Sequence, residues 1–393
     1  MTDLSAQTQN KRIYFDNAAT SWPKPPQMIE AMAEFSHQAG ANPGRAGHRM
    51  AIDSARVVYE TREAIAGLFN CADPLRVIFT SNVTEAINLG LFGLLKPGEH
   101  VITTSMEHNA VMRPLRYLQS QGVELSIANC SKEGQLNPSD VRKEIRKNTR
   151  TIVMTNASNV TGMLMPATEI GRIAYENDLL MMVDAAQTAG VIPIDMQMDH
   201  IDLLAFTGHK SLYGPMGTGG LVVGERVDLA NFNPLKMGGT GSNSENEIQP
   251  AFLPDKFESG TLNVIGLAGL LASLRWIHET GIDRIRAHEE SLTGAFLAGV
   301  RSIENFRLYG LSDPAVKTSV IPFTLNGKDN GQVGEWLDER YGIFCRVGLH
   351  CAPAAARTMN VFPEGTIRFS LGYFNQLPEI NYALEALKEL AKG

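Results

Sequence analysis

Short apolar segments alternate with helix-like segments through the middle of this chain, and that alternation constrains its fold more than any other feature. Runs rich in Val, Ile, Leu and Phe predict buried strands, and the segments between them have the apolar spacing of amphipathic helices. This order is typical of a largely parallel sheet covered by helices on both faces. The predicted strands are residues 76–79, 100–104, 123–128, 151–155, 179–184, 203–207 and 220–223, and the predicted helices are residues 84–95, 110–121, 138–147 and 167–177.

The alternation of predicted strands and helices is interrupted after the last of these strands. Residues 231–260 are rich in Gly, Ser and Pro with little periodicity, so they predict a long ordered loop or lid. Further on, the patterns predict helices over 262–279, 332–341 and 378–391 and strands near 316–324 and 366–370. The predicted fold class is therefore α/β. A large domain spans 16–262, and residues 1–15 and 263–393 form a smaller α/β domain that includes an interdomain helix.

Composition and charge narrow the function classes. The 35 Lys and Arg residues stand against 42 Asp and Glu residues without a long run of one sign, which argues against a nucleic-acid binder. Residues 1–12 lack the apolar core of a signal peptide, and no apolar run reaches the roughly 18 residues that cross a bilayer. Four cysteines without a C-x-x-C pair suggest neither a disulfide framework nor a metal site. We expect a cytoplasmic protein that binds no membrane.

Polar residues follow several predicted strands, where α/β sheets bind their ligands. Asp184 ends an apolar run, so it either caps the next turn or pairs with the protonated ring nitrogen of a cofactor. Lys210 lies among small and polar residues after another strand, as a solvated lysine or as a Schiff-base amine. His108 is either an ordinary loop histidine or a group that stacks on a ring and moves protons.

A phosphate site and a thiol are further candidates. Thr84 opens a helix, where it either caps the helix or binds phosphate, and without a P-loop or G-x-G-x-x-G motif a small phosphorylated cofactor fits best. Cys351 lies in the turn-like stretch GLHCAP, where a nearby positive group would make its thiolate nucleophilic. Arg368 is a candidate for gripping a substrate carboxylate, or else part of an ordinary ion pair.

Together these stretches resemble the cysteine desulfurases of the class V aminotransferase group, in order and over nearly the whole chain. The stretch RVGLHC at 346–351 is most similar to the group II branch, which includes selenocysteine lyases. The motifs that carry the resemblance are YFDNAA at 14–19, TEAIN at 84–88, MEH at 106–108, SNVTG at 158–162, VDAAQ at 183–187, GHK at 208–210 and FESGT at 257–261.

The resemblance implies a pyridoxal 5′-phosphate (PLP)-dependent transferase of fold type I that forms a homodimer and acts on L-cysteine or L-selenocysteine. Lys210 would carry the cofactor as a Schiff base, Asp184 would pair with the ring nitrogen, His108 would stack on the ring, and Gln187 would face the phenolic oxygen. Cys351 would accept sulfur as a persulfide while L-cysteine becomes L-alanine, and an acceptor protein would unload it. The implied phosphate ligands are Thr84, Thr207, His209 and Thr261 of the other subunit, and the implied substrate-carboxylate ligands are Asn159 and Arg368.

Two positions depart from the family pattern. Leu349 precedes His350 where many group II members carry a second histidine, and Thr207 replaces the usual serine before GHK. A selenocysteine lyase, a transaminase or an epimerase that uses PLP is the alternative enzyme. A non-catalytic regulator with the same fold is the alternative from another class.

Overall fold

The computed structural model describes residues 12–44 and 47–392; the polar stretch before residue 12 lies outside the described residues. The strands are β1 (Ile13–Tyr14), β2 (Val77–Thr80), β3 (His100–Thr104), β4 (Glu124–Ala128), β5 (Thr149–Thr155), β6 (Leu180–Asp184), β7 (Leu203–Thr207), β8 (Gly219–Val223), β9 (Phe306–Leu308), β10 (Val320–Leu325), β11 (Ile343–Phe344), β12 (Arg346–Gly348) and β13 (Thr366–Ser370). The helices are α1 (Pro26–Gln38), α2 (Arg49–Leu68), α3 (Val83–Leu94), α4 (Asn109–Ser120), α5 (Pro138–Lys143), α6 (Ala167–Glu176), α7 (Val264–Thr280), α8 (Ile282–Gly299), α9 (Asn330–Tyr341), α10 (Pro353–Thr358) and α11 (Leu377–Lys392).

A seven-stranded sheet forms the centre of the larger part of the molecule, with the strand order β2-β8-β7-β6-β5-β3-β4. Only β8 runs antiparallel to its neighbours, and the pairs β7-β6, β6-β5, β5-β3 and β3-β4 are parallel. Every residue of β3, β6, β7 and β8 is buried because helices cover both faces, which explains the continuous apolar runs in the sequence. The mainly parallel mixed sheet that the sequence predicts is confirmed.

A second, antiparallel sheet has the order β12-β13-β10-β9 and lies in the C-terminal part of the chain. Its core is aromatic, with Phe296, Phe323 and Phe369 all fully buried. The N-terminal segment belongs to this part too, since β1 pairs with β11 and Asp16 forms a bridge with Ser370. This pairing agrees with a smaller domain built from both chain ends, and the boundaries of the two domains stay a prediction.

Several predicted elements have different bounds in the structure. The helix predicted over 138–147 ends at Lys143, and the strand predicted near 316–324 begins at Val320. Pro314 instead starts a single 3-10 turn over Pro314–Val316, which Asp313 caps by accepting from the amide of Ala315 at 3.0 Å. The long loop predicted over 231–260 is confirmed, because residues 224–263, all described, contain neither helix nor strand. Within the described ranges, no helix is long and apolar enough to span a bilayer.

A buried ion pair fastens this loop to the sheet. The guanidinium of Arg62 forms a two-pronged contact with the carboxylate of Glu258, and that carboxylate also accepts from the amide of Phe79 at 2.6 Å. The side chains of Arg62 and Glu258 are only 4 % and 6 % exposed. Glu258 thereby fixes the residues just before Thr261.

Removing one partner of this pair leaves a buried charge without compensation. We expect Glu258→Ala to lower the free energy of unfolding by about 3–5 kcal/mol. Glu385→Ala is the control, because Glu385 pairs with Lys388 on the exposed surface and its loss costs about 1 kcal/mol or less. Urea unfolding followed by fluorescence measures both variants, and equal losses would contradict a stabilising role for the Arg62–Glu258 pair.

Candidate active site

The parallel strands of the large sheet end in chemically active side chains at one edge. Asp184 is the last residue of β6 and Thr207 the last residue of β7, and Glu107 and His108 follow β3 within four residues. Because the carboxyl ends of parallel strands meet at one edge, the topology brings these groups together.

Asp184 and Lys210 lie near enough at this edge for the charge of each to shift the pKa of the other. Burial raises the pKa of Asp184, and the nearby Lys210 ammonium partly opposes that rise. Burial also lowers the pKa of Lys210 to about 8, although the Asp184 carboxylate pulls it back upward. The structure therefore places near one another the two residues that the resemblance assigns to the ring nitrogen and the Schiff base of one cofactor, and those roles stay predictions.

One oxygen of Asp184 is already occupied. Oδ1 accepts from the amide of Ala186 at 2.9 Å, so Asp184 does cap the next turn, which was one of its two interpretations. Among residues 12–44 and 47–392 no donor reaches Oδ2, which leaves this oxygen for a further partner.

The lowered pKa of Lys210 gives a pH prediction for the cofactor-free protein. Only the neutral amine is nucleophilic, and a pKa of about 8 means that the neutral fraction rises through pH 8 and levels off above it. The rate of acetylation at Lys210 should therefore rise with pH and level off above about pH 8. Peptide mass spectrometry across a pH series measures it, and a rate that still climbs steeply past pH 10 would show a solvated lysine instead.

His108 caps helix α4 as well as facing the site. Its Nδ1 accepts from the amide of Ala110 at 3.0 Å, so the ring proton belongs on Nε2. Burial first, then the charges of Lys210 and Arg346, lowers the pKa of His108 to about 4. The imidazole is therefore neutral at pH 7 and its ring is fixed at the helix start, which suits stacking against a flat group.

Glu107, which the sequence analysis names only within the MEH motif, is a fully buried acid that precedes His108 in the chain. One of its carboxyl oxygens accepts from the hydroxyl of Thr104 at 2.5 Å, and the other accepts from the amide of Thr155 at 2.9 Å. Burial raises the pKa of Glu107 to about 8. Glu107 thus links the ends of β3 and β5. Its position just after the apolar strand β3 is the sequence signal that could have pointed to it.

The loop that carries Cys351 lies against the start of α4. The carbonyl of Cys351 accepts from the amide of Asn109 at 2.8 Å, and the carbonyl of His350 accepts from Asn159 Nδ2 at 2.7 Å. His350 and Cys351 both have left-handed backbone conformations, with φ of 51° and 58°. Non-glycine residues rarely adopt this region, and such strain clusters at functional sites. The thiol is exposed while its backbone is held on both sides.

The positive group beside this thiol is Arg346. Its Nη2 lies 3.6 Å from Cys351 Sγ, within hydrogen-bonding reach of the sulfur. The neighbouring His350 cannot take this role, because its Nε2 lies 3.0 Å from the hydroxyl of Thr366 and burial holds its pKa well below the ordinary value. Arg346 had no assigned role in the sequence argument, although it opens the stretch RVGLHC.

Arg346 and Arg368 lie directly opposite one another on the antiparallel strands β12 and β13. Like charges in this position destabilise a sheet, so the pair calls for a compensating anion. Asp16 supplies part of this negative charge, since its Oδ1 lies 2.7 Å from Arg368 Nη2. Arg368 is 2 % exposed, so its ion pair is buried and not of the ordinary surface kind.

The remaining contacts of Arg368 bear on the substrate-carboxylate prediction. Nη1 donates to the carbonyl of Asn159 at 3.0 Å, and Nε is buried without a partner among the described residues. The side-chain amide of Asn159 donates to the Cys351 loop. Both residues that were predicted to hold a carboxylate are thus brought together, with Asn159 also supporting the loop.

Three further predicted residues lie around Lys210. Gln187 Nε2 donates to the carbonyl of Ala18 at 3.1 Å. Thr207 is buried, with its hydroxyl 3.4 Å from the carbonyl of Thr218. His209 is half-buried; its Nδ1 has no partner among the described residues, and burial lowers its pKa to about 4.

Within the described ranges, Thr84 and Thr261 take no part in the contacts that join the other predicted site residues. The cap of α3 is Asn82, whose Oδ1 accepts from the amide of Glu85 at 3.0 Å, so Thr84 does not cap the helix; it is exposed in the first turn. Thr261 is also exposed, and it lines a cavity of about 440 Å³ together with Ser81 and Thr218 of the same chain. The roles of both threonines toward a phosphate stay predictions.

The chain is similar to proteins of a known family. The family model "Aminotransferase class-V" matches residues 13–382. A probable cysteine desulfurase of Methanothermobacter thermautotrophicus is 34% identical over 383 residues, covering 96% of this chain and 94% of that protein. No cluster of three or more His, Cys, Asp or Glu side chains in the described ranges could hold a metal ion.

Solved structures give the same result. The apo cysteine desulfurase of Thermococcus onnurineus NA1 has a TM-score of 0.91 at 32% identity, covering 97% of this chain and 95% of that one. The cysteine desulfurase CsdA of Escherichia coli, in its S-sulfonic acid form, has a TM-score of 0.86 at 28% identity, with 99% and 97% covered. These matches confirm the fold predicted from the resemblance, fold type I of the PLP-dependent transferases. The chain belongs to the class V aminotransferase family.

Proposed function

We propose that this protein is a PLP-dependent cysteine desulfurase that converts L-cysteine to L-alanine and receives the sulfur on Cys351. The observation that carries the proposal is the contact between Cys351 Sγ and Arg346 Nη2, made by a loop fastened to the residue after His108. A nucleophilic thiol is thereby held next to the edge where Lys210 and Asp184 meet. Cysteine desulfurase relatives of similar length support the same activity.

The residues at this edge fit PLP. Oδ2 of Asp184, which no donor among the described residues reaches, suits a protonated ring nitrogen. Nδ1 of the half-buried His209, which also lacks a partner among them, suits a hydrogen bond with the phosphate group. Lys210 would hold the cofactor through its amine, His108 would lie against the ring, and Gln187 would lie near the phenolic oxygen. When bound, the cofactor supplies an electron sink for the carbon skeleton of the substrate.

Lys210 and Asp184 then have separate tasks. The buried Asp184 carboxylate holds a proton on the ring nitrogen, which strengthens the electron sink. Lys210, when its amine is not holding the cofactor, would carry a proton at Nζ between carbons of the substrate. Its lowered pKa of about 8 suits this work, because the amine can both release and take up a proton near neutral pH.

Sulfur transfer forms one bond and breaks one bond. The Cys351 thiolate attacks the sulfur of the bound cysteine, so an S–S bond forms and the C–S bond of the substrate breaks. The electron pair of the broken bond stays with the carbon skeleton, which takes up a proton and leaves as alanine. Cys351 keeps the sulfur as a persulfide, which a thiol reductant or an acceptor must remove. Arg346 Nη2 contacts the Sγ atom that begins the step.

Arg368 is the group proposed to bind the substrate carboxylate. It is fixed by Asp16 and by the carbonyl of Asn159, so its guanidinium is held in place before substrate binds. Arg346 opposite adds a second positive charge. Two arginines and one aspartate leave a net positive field that attracts an amino-acid carboxylate.

The partners of the enzyme are further proposals. Thr261, exposed beside the cavity near Ser81, is proposed to serve the phosphate of a second subunit in a homodimer. A sulfur-acceptor protein is proposed to reach the exposed Cys351. Location in the cytoplasm stays a prediction.

The activity is tested on the purified protein supplied with PLP. Given L-cysteine and dithiothreitol, it should form alanine and sulfide in equal amounts. Parallel reactions with L-selenocysteine measure selenide release and rank the two substrates. Release of pyruvate or transfer of the amino group to a keto acid, without sulfide, would identify a different reaction and contradict the proposal.

A further inference from the structure

A short N-terminal segment, Thr20 to Lys24, converges on the backbone beside Lys210. Three residues of this segment donate to the carbonyl of His209, the residue before Lys210. The donors are Lys24 Nζ at 2.7 Å, Thr20 Oγ1 and Ser21 N at 3.0 Å each, and Ser21 Oγ at 3.3 Å. The single hydroxyl proton of Ser21 is shared between that carbonyl and the carbonyl of Lys210, which lies closer to Oγ at 2.8 Å. The peptide that carries Lys210 is therefore held on both sides.

The ammonium of Lys24 is the unexpected member of this cluster. A carbonyl oxygen has two lone pairs, and the neutral donors of Thr20 and Ser21 already satisfy them. Lys24 is half-buried, its second partner is Ser21 Oγ at 2.8 Å, and no carboxylate of the described residues pairs with it. Burying a cation without a carboxylate is costly, so hydrogen bonding alone does not explain a lysine here. Charge assistance makes this bond the strongest restraint on the carbonyl.

The residues just before this segment, 16–18, reach other groups of the site. Asp16 pairs with Arg368, and the carbonyl of Ala18 accepts from Gln187. Residues 16–24 thus contact Arg368, Gln187 and the peptide of Lys210. They connect these groups to the C-terminal sheet, where Asn17 Nδ2 donates to the carbonyl of Ser370 at 3.0 Å.

We propose that Lys24 is a positioning residue for Lys210, whose ammonium fixes the 209–210 peptide so that the Lys210 amine returns to the same place after every release. The proposal rests on the proposed function, in which Lys210 alternates between holding the cofactor and carrying a proton. A fixed backbone matters in that cycle because a displacement of about 1 Å can cost a hundredfold in rate.

The test compares Lys24→Met, which removes the ammonium at similar length, with Lys24→Arg, which keeps the charge and the donors. Lys147→Met at an exposed lysine is the matched control. The first readout needs no cofactor: it is the pH dependence of Lys210 acetylation. In Lys24→Met the midpoint should move up from about 8 toward about 10.4, the value of a solvated lysine.

The second readout is the rate at which PLP attaches to Lys210, trapped with borohydride and located by peptide mass spectrometry. We expect Lys24→Met to slow attachment about tenfold or more and to lower kcat with little change in KM, and Lys24→Arg to recover most of the loss. Thermal unfolding separates these effects from lost stability. Should Lys24→Met not fold, Lys24→Gln takes its place.

The outcomes separate the two claims. Lys24→Met with the acetylation midpoint and attachment rate of the unaltered protein overturns the positioning role. The positioning role is also overturned if the attachment rate and kcat of Lys24→Met fall only as far as its stability falls and Lys24→Arg does not restore them. If the unaltered protein attaches no PLP at Lys210 while the acetylation midpoint still moves in Lys24→Met, the proposed function fails and the positioning of Lys210 by Lys24 stands.

Discussion

Lys210→Ala is expected to abolish covalent attachment of PLP and to lower the turnover of L-cysteine by about 10²- to 10⁴-fold or more. The amine of Lys210 is the nucleophile that faces Asp184, and burial gives it a pKa of about 8 that favours both attachment and proton transfer. The unaltered protein with PLP should absorb at roughly 400 nm, the region typical of lysine-bound cofactor. Lys210→Ala should lack that band.

Lys147→Ala is the control, since Lys147 is exposed. It should keep both the band and the turnover. An unchanged band in Lys210→Ala would show that another lysine holds the cofactor, and the central assignment of the site would be wrong.

Cys351→Ala is expected to lower cysteine desulfuration by at least about a hundredfold, because the covalent route for sulfur is removed. The alanine side chain keeps the backbone contacts to Asn109 and Asn159, so the loop should stay in place. Alanine formation from L-cysteine under dithiothreitol measures the loss. Selenide release from L-selenocysteine should fall much less, since a selenium leaving group needs the thiol less.

The control for this variant is Cys71→Ala, which removes a half-buried thiol whose Sγ donates to the carbonyl of Asp73 at 3.5 Å. Cys71→Ala should desulfurate like the unaltered protein. If Cys351→Ala also turned over L-cysteine at an unaltered rate, sulfur would not pass through Cys351 and the proposed transfer step would be wrong.

The sequence predicts the large sheet well because its strands are buried on both faces. The predicted strands at 100–104 and 203–207 match β3 and β7 residue for residue, since continuous apolar runs leave little room for another assignment. Elements held by tertiary contacts were harder to predict. The bounds of β12, only three residues long, are fixed by pairing with β13 and not by any local pattern.

The residues of the candidate site also differ in how well the sequence predicts them. Asp184, His108 and Lys210 could be found from their places after strands and from the resemblance. Arg346 and Glu107 were not assigned roles, because one is defined by its distance to Cys351 Sγ and the other by hydrogen bonds to neighbouring strands. The cap of α3 was uncertain for a related reason, since Asn82 and Thr84 are both good capping residues and only geometry selects Asn82.

The most direct test of the central claim is a crystal structure of this protein grown with PLP. The account predicts continuous density from Lys210 Nζ to the cofactor, with the ring nitrogen within about 3 Å of the Asp184 carboxylate. Cofactor density bound to a different lysine, or a ring nitrogen remote from Asp184, would contradict it.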